Sequence, residues 1–196
     1  MPHNRFGVKS NKAEVLFIDY INEHLKPNGR AGIIVPEGMI FQNGVAYKQL
    51  RKKLVETSLI GVISLPAGIF QPYSGVKTSI LILDKKLNKE LNKISFYKVE
   101  NDGFDLSANR RKIEINDLPN VVNLFKNFKK NKDKNNLIDK SKILKSDHIS
   151  LTFNQYLDTT EFSSNYEVIK LKEVCKFQGG SQPPKENFTS YTYSVT

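Results

Sequence analysis

Two short loops carry the residue types best suited to chemistry. The first is Gly68-Ile-Phe-Gln-Pro-Tyr-Ser-Gly75, which follows the apolar run Leu59–Leu65. In an open α/β sheet, ligands collect beyond the carboxyl ends of the strands. An aromatic side chain there, on a loop of Gly and Pro, offers a flat apolar face to a heteroaromatic ring. Such a face suits a nucleobase swung out of its helix, and stacking on it is worth about 1–3 kcal/mol per base. Phe70 is the first candidate and Tyr73 the second. The alternative places Phe70 beneath the sheet, the commoner position for a large apolar side chain. The second loop is Val35-Pro-Glu-Gly38, where Pro36 ends an apolar run and Glu37 and Gly38 lie just past it. Glu37 could position a backbone or cofactor group, and the alternative is an ordinary strand terminator with an exposed Glu.

Other chemistries find little support. His3, His24 and His148 are scattered, and Cys175 is the single cysteine. No set of ligands at metal spacing and no Ser-His-Asp arrangement stands out. No Gly-x-Gly-x-x-Gly follows an apolar run, so no nucleotide-binding loop is expected within the chain. Two basic groups remain. Lys48, Arg51, Lys52 and Lys53 are expected on the outer face of a helix, and the run Lys126–Asn136 includes Lys129, Lys130 and Lys132. Either group could touch DNA phosphates, which give affinity but no sequence information, and the lysines of the second are the candidates for it. A solvated linker is the alternative.

The elements that would position these loops follow from periodicity. Ala13–Leu25 has helical apolar spacing and ends at Pro27-Asn28-Gly29. Ala31–Val35 is a short apolar run that reads as a strand buried on both faces. Tyr47–Glu56 is a second amphipathic helix, with Leu50, Leu54 and Val55 turned inward. Leu59–Leu65 and Val76–Leu83 are two further buried strands. Asp84–Lys93 reads as a hairpin connection, Lys93–Glu100 as an edge strand, 101–120 as irregular, and Val121–Phe128 as a short helix. Lys142–Tyr156 is either helix or strand, and a new unit opens near Tyr166. Helix alternating with strand implies an α/β open sheet. Three core strands are too few to close one, so the chain is expected to belong to a larger sheet.

At 196 residues the chain fits one domain with part of another. Its net charge of +10 suits a nucleic-acid partner. Much of that charge is Lys in an Asn-rich chain, which composition alone also explains. One cysteine excludes a disulfide framework. No signal peptide and no apolar run of membrane-spanning length are evident, so a soluble cytoplasmic protein without membrane contact is expected.

The run from Ala13 to Leu83 resembles the modification subunit of type I restriction-modification systems, and fused methylase-specificity enzymes. The matching words are Leu25-Lys-Pro-Asn-Gly-Arg-Ala-Gly-Ile-Ile-Val-Pro-Glu-Gly-Met-Ile-Phe41, Leu50-Arg-Lys-Lys-Leu54, Val62-Ile-Ser-Leu-Pro-Ala-Gly-Ile-Phe70 and Thr78-Ser-Ile-Leu-Ile-Leu83. A stretch beginning at Glu167 is similar to the opening of a target-recognition domain. The resemblance implies the C-terminal half of a Rossmann-like S-adenosylmethionine-dependent methyltransferase sheet, followed by the start of an α+β recognition domain. It implies a partial catalytic domain over 1–125, a linker and C-terminal region of the modification subunit over 126–165, and the truncated start of a target-recognition domain over 166–196. Adenine N6 in DNA would be the acceptor and S-adenosylmethionine the donor. Phe70 would pack on the flipped adenine, and Pro36, Glu37 and Gly38 would line its pocket. The family's glycine-rich cofactor loop and its Asn-Pro-Pro-aromatic tetrapeptide belong upstream of Ala13. Gln71-Pro-Tyr73 and Gln182-Pro-Pro184 only approximate that tetrapeptide. Most of the cofactor site is therefore expected outside the chain, and no catalytic residue is assigned. The implied partners are DNA and either an N-terminal methyltransferase half or specificity and restriction subunits. A non-enzymatic DNA-binding or assembly module of the same complex is the alternative.

Overall fold

The computed structural model describes residues 6–127, 136–156, 169 and 171–176. The chain divides into two compact units, Met1–Leu157 and Asp158–Thr196. In the second, the described element is a short helix at Leu171–Val174.

The first unit is a mixed α/β structure built on a five-stranded sheet. In chain order its elements are helix α1 (Ala13–His24), strand β1 (Arg30–Pro36), helices α2 (Gly38–Phe41) and α3 (Val45–Thr57), strands β2 (Leu59–Ser64) and β3 (Thr78–Asp84), helix α4 (Lys85–Glu90) and strand β4 (Lys93–Lys98). A small hairpin of β5 (Asp102–Phe104) and β6 (Lys112–Asn116) follows. Helix α5 (Leu118–Lys126), strand β7 (Leu137–Asp139), helix α6 (Lys140–Lys145) and a 3-10 turn at Phe153–Tyr156 complete the unit. The sheet order is β1-β3-β2-β4-β7. Strand β3 is antiparallel to both β1 and β2, β2 and β4 are parallel, and β7 is antiparallel to β4.

Strand alternation sends side chains to two faces. One face meets α1, α3 and α6 in a core that includes Val15, Leu50, Leu54, Val62, Leu81, Ile94 and Ile143. The opposite face meets α5, with Ile63, Leu65, Tyr97, Val99 and Val121 packed together. Beside α5 this face opens into a groove of about 1220 Å³, floored in part by Gly32, Ile60 and Ile82 and flanked by Val122 and Phe125.

Four expectations are corrected. The 101–120 segment is not irregular: β5 and β6 pair within it, with Asp102 opposite Asn116, and α5 begins at Leu118. The β1 run is not buried on both faces: it lies at the sheet edge, and Ile34 is 55% exposed. A continuous apolar run does not say how many neighbours a strand has. The Asp84–Lys93 segment is not a hairpin connection, because both edges of β3 are already occupied by β1 and β2. It folds as α4, capped by the Asp84 carboxylate, which accepts from Leu87 N–H at 2.8 Å. Asn88 then donates to the carbonyls of Val55 and Leu59, and the chain crosses to the far side of β2. The following strand is therefore not an edge. Strand β4 has β2 on one side and β7, which is remote in sequence, on the other, so Ile94, Ser95, Phe96 and Tyr97 are all buried.

Candidate functional site

The carboxyl ends of β1 and β2 and the start of β3 share one end of the sheet, since Pro36 faces Thr78 and Ser64 faces Ser79 in register. Both candidate loops emerge there. The β2–β3 loop turns at Gly68, whose φ of +82° is a conformation that L side chains rarely adopt. Gln71 N–H then donates to Gly68 O, and the amides of Tyr73 and Ser74 both donate to Phe70 O. The Phe70 carbonyl is thus fastened twice while the residue stays 36% exposed. Tyr73 is 94% exposed at the tip of the turn.

The β1 loop is tied to the end of the same β2–β3 loop. Glu37 N–H donates to Lys77 O at 3.0 Å, and the Lys77 ammonium meets Glu37 Oε1 at 3.0 Å. The other carboxylate oxygen, Oε2, is buried and accepts no hydrogen bond among the described residues, and Thr78 Oγ1 is in the same position. A buried acceptor left unpaired costs about 1–3 kcal/mol. Pro36 and Gly38 flank Glu37, and Gly38 opens α2, which buries Met39 and Ile40.

The expected outer face of α3 is only partly outward. Lys52 is exposed, but Arg51 is 0% exposed and points inward. The reason is angular: Arg51 precedes Leu54 and Val55 by three and four residues, which places it on their face of the helix. Lys53 is half withdrawn, pairing with Asp19 at 2.7 Å and also with Glu23. Lys77 and Thr78 also escaped sequence reasoning about the site. The available signal was a cation placed directly before a β-branched run. Lys129, Lys130 and Lys132 lie outside the described residues, although α5 leads toward them. Among the described residues, no three His, Cys, Asp or Glu side chains gather as a metal site, and no helix is long and apolar enough to cross a membrane.

Residues 3–165 match the model of the N-6 DNA Methylase family. The chain is 40% identical over 70 residues to the methylase subunit of the type I restriction enzyme EcoEI from Escherichia coli, a match covering 36% of this chain and 14% of that protein. It is 26% identical over 151 residues to the MpnII methylase subunit of Mycoplasma pneumoniae, covering 76% of this chain and 27% of that one. The chain thus spans between 14% and 27% of the length of these relatives. Among solved structures, it resembles the methyltransferase subunit of a type I restriction-modification system from Streptococcus thermophilus. The TM-score is 0.62 at 28% identity, over 78% of this chain and 32% of that one.

Proposed function

The chain belongs to the N-6 DNA Methylase family, and from that premise we propose that it is the base-receiving part of a type I restriction-modification methylase subunit. In this reading it contributes to methyl transfer from S-adenosylmethionine to adenine N6 in DNA. One observation carries the proposal: the Phe70 loop and the Glu37 loop stand at the same sheet end, joined by Lys77.

The roles of the residues follow from their chemistry. Phe70 offers its exposed ring to a flipped adenine, with Tyr73 beyond it at the rim. Lys77 neutralises the Glu37 carboxylate and ties the two loops together at this end of the sheet. Pro36 and Gly38 shape the same wall. The lysines at 129, 130 and 132 would hold the phosphate backbone. S-adenosylmethionine would supply the methyl group. The described residues do not themselves fit it: the positive-φ turn at Gly68 carries an aromatic, and the successive Tyr73 and Ser74 amides in it are already spent on Phe70 O. No step of the reaction is therefore assigned to a cofactor-binding residue of this chain. The proposed partners are DNA, an upstream methyltransferase half, and specificity and restriction subunits.

The test is labelled methyl transfer from S-adenosylmethionine to unmethylated DNA, with the chain alone and with a separately produced upstream half of a matching methylase subunit. Transfer with both halves, reduced about 5- to 150-fold by Phe70→Ala as loss of 1–3 kcal/mol of stacking requires, supports the reading. Transfer that survives Phe70→Ala unchanged removes Phe70 from the site. A soluble, folded mixture that binds DNA without any transfer favours the assembly-module alternative.

A further inference from the structure

Arg51 is the largest side chain fully withdrawn from solvent, and no carboxylate lies within ion-pair distance of it among the described residues. Its donors go to four backbone carbonyls instead. Nη1 donates to Met39 O at 3.0 Å and Nη2 to Gln42 O at 2.8 Å. Nη2 also donates to His148 O at 2.8 Å, and Nε donates to Ile149 O at 2.7 Å. The first two acceptors belong to α2 and its end, the element that directly continues the Pro36-Glu37-Gly38 loop. The other two lie on the turn that leads through Tyr156 to the end of the unit, nearly a hundred residues later.

That turn is held in an unfavourable shape. Ile149 has φ of 45°, a region in which a β-branched residue is a clear outlier. It is fastened further by Leu151 N–H donating to Ile40 O at 2.7 Å and by Tyr156 Oη donating to Ser150 O at 2.5 Å. Burying a cation without a counter-charge is costly, and well-packed apolar residues often substitute for buried ions at no loss of stability. A planar five-donor fork does something that an apolar side chain cannot: it fixes two separate backbone segments in one plane. Burial lowers the pKa of Arg51 to about 10, so it keeps its proton and its donors through the neutral range.

We propose that Arg51 is the positioning residue of the Pro36-Glu37-Gly38 loop, locking it to the Ser146–Leu151 turn so that the path of the chain toward residue 156 sets the geometry of the pocket wall. This rests on the reading above that the loop lines the base pocket. A domain or subunit engaging the chain beyond that turn would then alter the pocket without touching it.

Hydrogen exchange on the full chain tests the lock, using wild type, Arg51→Lys and Arg51→Met, with Tyr156→Phe as a variant that loosens the turn while leaving Arg51 in place. The expected result is exchange about tenfold faster at the Gln42 and Leu151 amides in Arg51→Met and Tyr156→Phe, and a smaller acceleration in Arg51→Lys, with the Val62 and Leu81 amides at the sheet centre unchanged. Lys has one ammonium for four carbonyls and rescues only in part. Uniform acceleration at every amide, or none at all, overturns the proposal. Methyl transfer with the upstream half supplies the second arm. A loosened lock is expected to lower kcat by about tenfold or more, because small misplacements of a positioned group have effects of that size, while KM for S-adenosylmethionine is unmoved. Local release with kcat unaltered also overturns it. If wild type supports no transfer while the local release is seen, the base-pocket reading fails, and the positioning role falls with it.

Discussion

Replacing Asp19 by Ala removes the anchor of the segment that enters α1. Its carboxylate is wholly buried and accepts from Gly7 N–H at 2.8 Å, from Val8 N–H at 3.1 Å and from the Lys53 ammonium at 2.7 Å. The three losses are unequal. Gly7 is exposed, so its amide turns to water at little cost. Val8 is buried, and its orphaned N–H costs about 1–3 kcal/mol. Lys53 keeps Glu23 and some solvent, so its loss is small. The void adds roughly 1 kcal/mol. The sum is about 3 kcal/mol, at the low end of the 3–5 kcal/mol seen on breaking buried pairs. In urea, with a slope of about 2 kcal/mol per molar, the midpoint should fall by about 1.5 M. The loss should also depend on pH. Burial opposes the charge on Lys53, but the carboxylates of Asp19 and Glu23 outweigh it and hold the ammonium pKa above its ordinary value. A raised folded-state pKa means that the stabilisation is complete below the unfolded value of about 10.4 and is lost as pH climbs through the folded one. The gap between wild type and Asp19→Ala should therefore narrow above about pH 10.5. A midpoint shift at pH 7 below roughly 0.5 M would refute the reasoning, since it would mean that Val8 N–H finds another partner.

Two further outcomes are expected. Gly61→Ala should lower the melting temperature through a loss of about 1–3 kcal/mol, because a Cβ there would stand 2.6 and 2.7 Å from two atoms of the Phe125 ring. Phe125→Leu in the same chain should restore part of the loss, and a melting temperature unchanged by Gly61→Ala would show that α5 shifts freely. Replacing Lys129, Lys130 and Lys132 together by Ala should flatten the dependence of log affinity for duplex DNA on log salt by up to about 2.7, at 0.9 per phosphate contact. An identical slope, measured by fluorescence anisotropy across a salt series, removes these lysines from the backbone contact.

Local pattern and tertiary structure divided the work along physical lines. Sequence alone determined the helices α1 and α3 and the strands β1, β2 and β3, because apolar spacing and flanking Pro and Gly are local properties. It also marked the two loops at the strand ends, since an aromatic on a Gly/Pro turn and a Pro-Glu-Gly strand terminator are written in consecutive residues. What it could not determine was who stands next to whom. The edge position of β1, the interior position of β4 and the pairing of β4 with β7 depend on hydrogen bonds between residues far apart in sequence. The same limit hid the role of Arg51. Its spacing to Leu54 and Val55 places it on their inward face of α3, but the carbonyls of His148 and Ile149 that make it a buried lock come from the other end of the unit. A charge is cheap to place in water and costly to bury, so whether it is buried is decided by partners that the chain supplies only once it has folded.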